Sequence, residues 1–181
     1  MKINTTRFGH LEVDAEEVIT FPEGIIGFDT LKKFCLVDPG DDTLILWLQS
    51  LENGAFAFPV LEPKIFKPDY IVKLSAVELK GLQLANVNQS VVFNILTIPA
   101  NITELTANLK APIVINLRDQ IGKQVVLQEN EYSLKHLMFK ELKAHLLTIE
   151  SSKQKASKER TVSVVPINLR QIVPSTQVKN L

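Results

Sequence analysis

The stretch from Thr106 to Leu127 constrains the fold more than any other part of this chain. Ile113, Ile115 and Leu117 alternate with Asn116 and Arg118, and Ile121, Val125 and Leu127 repeat that alternation after a polar gap. Alternation with period two is the mark of strands, so the stretch predicts a β-hairpin. If only one face of the sheet is buried, both apolar sets must lie on it. That condition pairs Arg118 with Gly122, Leu117 with Lys123, Ile115 with Val125 and Ile113 with Leu127. It leaves Asp119 to Ile121 as the loop, with Gly122 free to take the positive φ of a bulge. A shift of one residue pairs Val125 with Asn116 and sends the two sets to opposite faces. The expectation is therefore an antiparallel sheet with one buried face.

The remainder of the chain reads the same way. Thr6 to Asp14 predicts a strand with a bulge at Gly9, and Val18 to Phe21 a short strand. Pro22-Glu23-Gly24 is turn chemistry. Residues 25 to 34 read as loop with one helical turn. Strands follow at Phe34 to Val37, Leu44 to Leu51, Ala55 to Leu61 and Tyr70 to Leu74. Ser75 with Glu78 makes a capping box for a short helix that Gly81 ends. Val91 to Ile98 is a strand stopped by Pro99. The expected fold is all-β: a small antiparallel β-barrel-like domain, or a sandwich, with short helical turns. From residue 137 the period changes. Leu137, Met138, Leu142, Leu146 and Ile149 follow helical spacing, predicting a helix over 137–150. A polar linker over 151–160 and an edge strand over 161–169, limited by Pro166, complete the tail. The division is a barrel domain over 1–137 and a C-terminal extension over 138–181.

Charge separates these two parts. Up to residue 130 there are 11 Lys and Arg against 16 Asp and Glu, and from 131 onward 9 against 4, so about −5 is followed by about +5. An acidic body is a poor ligand for nucleic acid, whose phosphates need clustered cations. The basic tail folds back on the body, meets an acidic partner or is simply solvated. Cys35, between Phe34 and Leu36, is the single cysteine and reads as a buried small hydrophobe. No apolar run reaches membrane-span length, and the N-terminal residues lead into no signal-peptide core. The expected location is the cytoplasm.

No catalytic or metal-binding constellation is visible. His10, His136 and His145 have no ligand spacing, and there is no phosphate-binding glycine loop or nucleophile elbow. No catalytic residue, metal site or cofactor is expected. Two rigid turns carrying aromatics are candidate protein-docking sites. One is the turn of Phe21, Pro22, Glu23, Gly24 and Phe28. The other is the corner of Phe66, Pro68, Asp69 and Tyr70. In each, the aromatics are either core plugs or docking knobs. Asn108 and Lys110, just before the hairpin, are either a docking edge or a solvated one. Trp47, inside an apolar strand, reads as core.

Several segments together resemble the flagellar assembly factor family FliW. They are Thr6 to Gly9, Ile19 to Asp29, Trp47 to Leu51, Phe66 to Tyr70, Val92 to Pro99 and Thr106 to His136, in the family's order and spacing. The resemblance covers about residues 1 to 137. It implies a cytosolic, non-enzymatic, barrel-like β protein that binds flagellin before export. It also implies binding to CsrA, a small RNA-binding repressor of flagellin translation, which is thereby held off its RNA. Ile26 stands where many relatives carry a proline, and nothing in the resemblance explains the tail. The rival reading is a small-ligand or enzymatic barrel, which needs a deep polar pocket. A third is direct RNA binding by the tail.

Overall fold

In the computed structural model, residues 1–41, 44–128, 131–152 and 161–165 are described. In chain order the elements are β1 (Lys2–Thr5), β2 (Gly9–Glu12), β3 (Ile19–Thr20), β4 (Lys33–Asp38), β5 (Leu46–Ser50), β6 (Ala57–Leu61), α1 (Ala76–Gly81), β7 (Val91–Thr97), β8 (Thr106–Ala107), β9 (Ile113–Asn116), β10 (Ile121–Gln124), β11 (His136–Leu137), α2 (Phe139–Ser152) and β12 (Ser163–Val164). Seven strands close on themselves in the order β7-β6-β5-β4-β3-β10-β9, because β9 pairs back onto β7 through Val91↔Ile115 and Phe93↔Ile113. The neighbours are antiparallel except β3 and β10, which meet in parallel at Thr20↔Ile121. The all-β barrel expectation therefore holds, and closure pairs the two outermost strands, β7 and β9, that an open sheet would leave as edges.

Side-chain alternation sorts the barrel into an interior and two outer layers. Ile19, Phe34, Leu36, Leu48, Val60, Val91, Phe93, Ile113 and Ile115 fill the interior. Cys35 and Val37, the alternate residues of β4, point outward under the β1–β2 hairpin with Leu11, Val13 and Leu51. Val114 and Leu96 point outward into a second layer, covered by Phe66, Tyr70, Tyr132, Met138 just ahead of α2 and Leu142 of α2. Both sides of the wall are thus buried over much of its area.

This double burial corrects the expected hairpin register. Asn116 pairs with Ile121, Ile115 with Gly122, Val114 with Lys123 and Ile113 with Gln124. The ladder continues as Val125 N–H and Leu127 N–H donate to the carbonyls of Pro112 and Lys110, both at 2.9 Å. Ile113, Ile115 and Leu117 do share one face, the interior. Val125 and Leu127 share the other with Ile121 packed beside them. The premise of one buried face fails, because loops and α2 cover the outside. Gly122 permits this register: a Cβ there would stand 2.3 Å from the tip of the Phe21 ring, which fills the interior in place of a β10 side chain. The turn spans residues 117–120, and Gln120, with φ 56°, takes the left-handed conformation expected of Gly122.

Other expectations shift locally. The N-terminal strand is two strands, paired Lys2↔Glu12 to Thr5↔Gly9, with Gly9 (φ 67°) closing the turn between them. Residues 70–74 run without ladder partners and form no strand, and residues 25–32 form turns without a helix. The α1 capping box is present as expected: Ser75 N–H donates to Glu78 Oε2 at 2.6 Å and Glu78 N–H to Ser75 Oγ at 3.3 Å. The tail helix begins at Phe139, and β12 lies within the expected edge strand. Residues 153–160 of the expected linker and 166–169 of the expected strand lie outside the described residues.

Candidate docking surface

The turn after β3 divides its residues between core and surface. Phe21 is fully buried, edge-on to Phe34 with ring centroids 5.2 Å apart. It is a core plug, not a docking knob, because the space above Gly122 is open to it. Gly24 is buried with φ 74°, and its missing Cβ would stand 2.7 Å from Asp29 Cα. Only glycine fits that turn, on conformation and on space. Pro22 and Glu23 are exposed. The Pro22 carbonyl accepts from Lys32 Nζ at 2.8 Å, and the Glu23 carboxylate pairs with Lys123 on β10. Phe28 is half-buried, with Phe56 and Phe58 each 5.1 Å away. Ile26 is 60% exposed and Phe56 37%. The Ile26 N–H donates to Gln124 Oε1 at 3.0 Å, which fastens the turn to the barrel. The result is an apolar surface in which Ile26 and Phe28 of the anchored turn are joined, through Phe28, by Phe56 of the β5–β6 connection, with the Glu23–Lys123 ion pair in the same turn–β10 region.

The second corner divides likewise. Phe66 is buried and stacked on His136 at 6.2 Å, and Tyr70 is buried against Tyr132 at 4.7 Å. Both are core, because β11 and the segment around Tyr132 lie over them. The Tyr70 hydroxyl donates to the Leu109 carbonyl at 2.6 Å, and Asn94 Nδ2 donates to the Asn108 carbonyl at 2.6 Å. The buried Tyr70 bond thus joins the corner to the 108–110 segment, and the Asn94 bond ties that segment to β7. Asn108 is half-buried, its Oδ1 accepting from Ala111 N–H at 3.0 Å. Pro68 and Asp69 stay exposed. A hydrogen bond from the Lys67 ammonium holds the Asp69 carboxyl below the usual carboxylate range.

Two shallow clefts meet at Tyr132. One, of about 260 Å³, is lined by Lys67, Asp69, Ile71, Lys73 and Glu131. The other, about 560 Å³ and open to solvent, is lined by Lys110, Ser133, Leu134 and Lys135. Ile71 and Leu134 are 60% and 64% exposed, so the cleft walls mix aliphatic side chains with lysines. The Tyr132 hydroxyl accepts from Ile71 N–H at 3.1 Å and donates to Ile71 O at 3.2 Å, pinning the two cleft walls together. Tyr132, Ile71 and Leu134 were not among the predicted site residues. Their signal in the sequence is two large aliphatics in segments that have no strand or helix of their own to bury them. Among the described residues, no three His, Cys, Asp or Glu side chains gather as a metal site.

These features define a class: a small closed β-barrel, packed solid inside, that presents aliphatic and aromatic side chains on anchored turns. The family model described as FliW protein matches residues 2–138. A flagellar assembly factor FliW from Bdellovibrio bacteriovorus is 42% identical over 147 residues, 81% of this chain and 84% of that protein. Another from Thermoanaerobacter pseudethanolicus is 41% identical over 144 residues, 79% of this chain and 96% of that protein. A crystal structure of the flagellar assembly factor FliW superposes with a TM-score of 0.72 at 35% identity, covering 77% of this chain and 97% of the other. The chain belongs to the FliW family of flagellar assembly factors.

Proposed function

We propose that this chain binds flagellin and the translational regulator CsrA in alternation, and so couples flagellin synthesis to export. The observation that carries this reading is family membership across the whole barrel, residues 2–138. When flagellin is abundant it occupies the protein, and CsrA is free to repress its message. When flagellin is exported, the protein captures CsrA and translation resumes. Both associations take place in the cytoplasm. The excess of acidic residues up to position 130 suits a partner whose surface binds RNA. The Ile26–Phe28–Phe56 surface and the clefts at Tyr132 are the assigned contacts, with Pro22, Glu23, Pro68, Asp69, Asn108 and Lys110 around them. Aromatic and aliphatic anchors with polar surroundings are the usual anatomy of such contacts. The rival of a ligand-binding or enzymatic barrel has less support, since Phe21, Phe34 and Phe93 fill the interior. Direct RNA binding by the tail concerns residues that lie mostly outside the described ones.

Calorimetric titration of the purified chain with CsrA of the same organism, repeated with flagellin bound, tests the reading. Tight binding that flagellin abolishes is expected. Binding indifferent to flagellin, or no binding to either partner, would overturn it. Ile26→Asp is expected to weaken one of the two associations at least tenfold with stability nearly unchanged, as for most surface substitutions. Phe21→Ala is expected to cost about 3–5 kcal/mol of stability and to leave the affinity of the remaining folded protein intact.

A further inference from the structure

Beside the second half of β4 the barrel wall is incomplete. On one side, Phe34 to Val37 pair with Ser50 to Trp47 of β5. On the other side, β3 reaches only Lys33 and Phe34. It stops there because the chain ahead of Ile19 bends into a 3₁₀ turn at Ala15–Glu17. From Leu36 to Asp38, β4 therefore presents an edge that no other barrel strand covers among the described residues. The tail covers it. Ser163 pairs with Asp38 and Val164 with Val37, antiparallel to β4. Val165 N–H donates to the Leu36 carbonyl at 2.8 Å. Successive side chains go to opposite faces of the wall. Val164 packs with the layer under the β1–β2 hairpin, beside Leu11, Val13 and Val37. Val165 packs against the barrel interior. The edge thus combines backbone groups that β3 leaves to the tail with an apolar recess on each face, which is what strand addition requires.

The present occupant is weakly held. Its pairing covers two residues, and short isolated pairings are marginal in water. Val162 just ahead of it is 47% exposed. The edge and the occupant also differ in origin. β4, β1 and β2 all lie within the family match, residues 2–138, and β12 lies beyond it.

We infer that the Leu36–Asp38 edge of β4 is a strand-addition site for an extended segment carrying adjacent β-branched residues, and that residues 161–165 occupy it in cis as a built-in competitor. A tethered segment competes at an effective concentration on the order of millimolar. A tail segment whose own dissociation constant is about tenfold below that concentration holds an incoming segment back by about tenfold until the tail leaves. The recognised chemistry is that of the tail itself: a small polar residue opposite Asp38, then two apolar β-branched residues opposite Val37 and Leu36. This inference is independent of which partners the family surface binds.

The probe is a fluorescent peptide with the sequence of residues 161–165 between solubilising lysines. It is titrated into the full chain and into two full-length variants. Val164→Asp places a charge in the apolar layer, and Val165→Pro removes the N–H that Leu36 accepts. Both variants are expected to bind the peptide at least tenfold more tightly than the unaltered chain. Equal affinity, or no binding to either variant, overturns the inference. So does unfolding of both variants, since a displaceable strand is not needed for folding. Hydrogen exchange on the unaltered chain gives a test without substitution. The Val165 amide is expected to exchange at least a hundredfold faster than the Leu48 amide of β5. Exchange of the two at the same rate would make β12 an integral strand and overturn the inference.

Discussion

Cys35 shows how a single position in this wall sets a pH limit. Its side chain lies under the β1–β2 hairpin, and burial first, then the nearby Glu17 carboxylate, pushes the thiol up to about 12. A free thiol ionises near about 8.5. The folded state therefore holds its proton more tightly than the unfolded chain, and stability falls as pH rises between those values. Below the unfolded value the contribution is complete. Urea unfolding between pH 8.5 and 10 is expected to show a loss approaching about 1.4 kcal/mol per pH unit from this group. Cys35→Ala should remove that part of the slope, whatever it costs in packing. Identical slopes for the two proteins would show that the thiol ionises in the folded state. The same scale explains which predicted site residues are legible in the sequence. Phe21, Phe66 and Tyr70 sit beside rigid turns, as do Phe28 and Pro68, and local pattern is the same for plug and knob. What separates them is distant in sequence: Gly122 opens space for Phe21, and Tyr132 and His136 cover Tyr70 and Phe66.

Elements show the same division between local and distant causes. The α1 helix was readable because its capping box is complete within four residues, Ser75 to Glu78. The β9–β10 hairpin was readable in part: alternation assigns each residue to a face but not the number of faces that are covered. The turn between its strands is built by a side chain. Asn116 Oδ1 accepts from Arg118 N–H at 3.1 Å and Asp119 N–H at 3.3 Å. Its Nδ2 donates to the Leu82 carbonyl at 2.9 Å and to Asp119 Oδ2 at 2.7 Å. Asn116 is buried, so Asn116→Ala strands several backbone groups and is expected to cost about 1–3 kcal/mol. The Asp119 carboxyl is held below its usual range by the Arg118 guanidinium first and the Asn116 amide second. Its stabilising contribution is present above the ordinary carboxylate range and is lost as pH falls through the depressed folded value. Urea midpoints at pH 7 and pH 3 are therefore expected to converge between wild type and Asn116→Ala. A difference that is unchanged at pH 3 would show that the amide acts on the backbone alone.

At the scale of the molecule, the last residue of the family match and the helix that follows it take part in holding the barrel together. Met138 is fully buried and its N–H donates to the Leu105 carbonyl at 3.1 Å; Leu142, one turn further along, is buried in the same outer layer. These two side chains belong to the same buried layer as Leu105, Val114 and Leu127, outside the barrel interior. Removing one large buried aliphatic typically costs about 2–5 kcal/mol. A whole domain has only about 5–15 kcal/mol to lose. A chain cut after Leu137 loses both side chains and β12 at once. It is expected to unfold at a urea concentration well below the full chain's, with Trp47 fluorescence following the transition. A cut after Ser152 keeps Met138 and Leu142 in place, loses only what β12 contributes, and is expected to unfold much closer to the full chain. The order of the three midpoints carries the argument. If the chain ending at Leu137 matches the one ending at Ser152, α2 lies on the barrel without stabilising it, and the outer layer is complete without the tail. If the expected order is found, partner affinities compared between the full chain and a chain ending at Leu137 mix binding with folding. A cut after Ser152 is then the one that separates them.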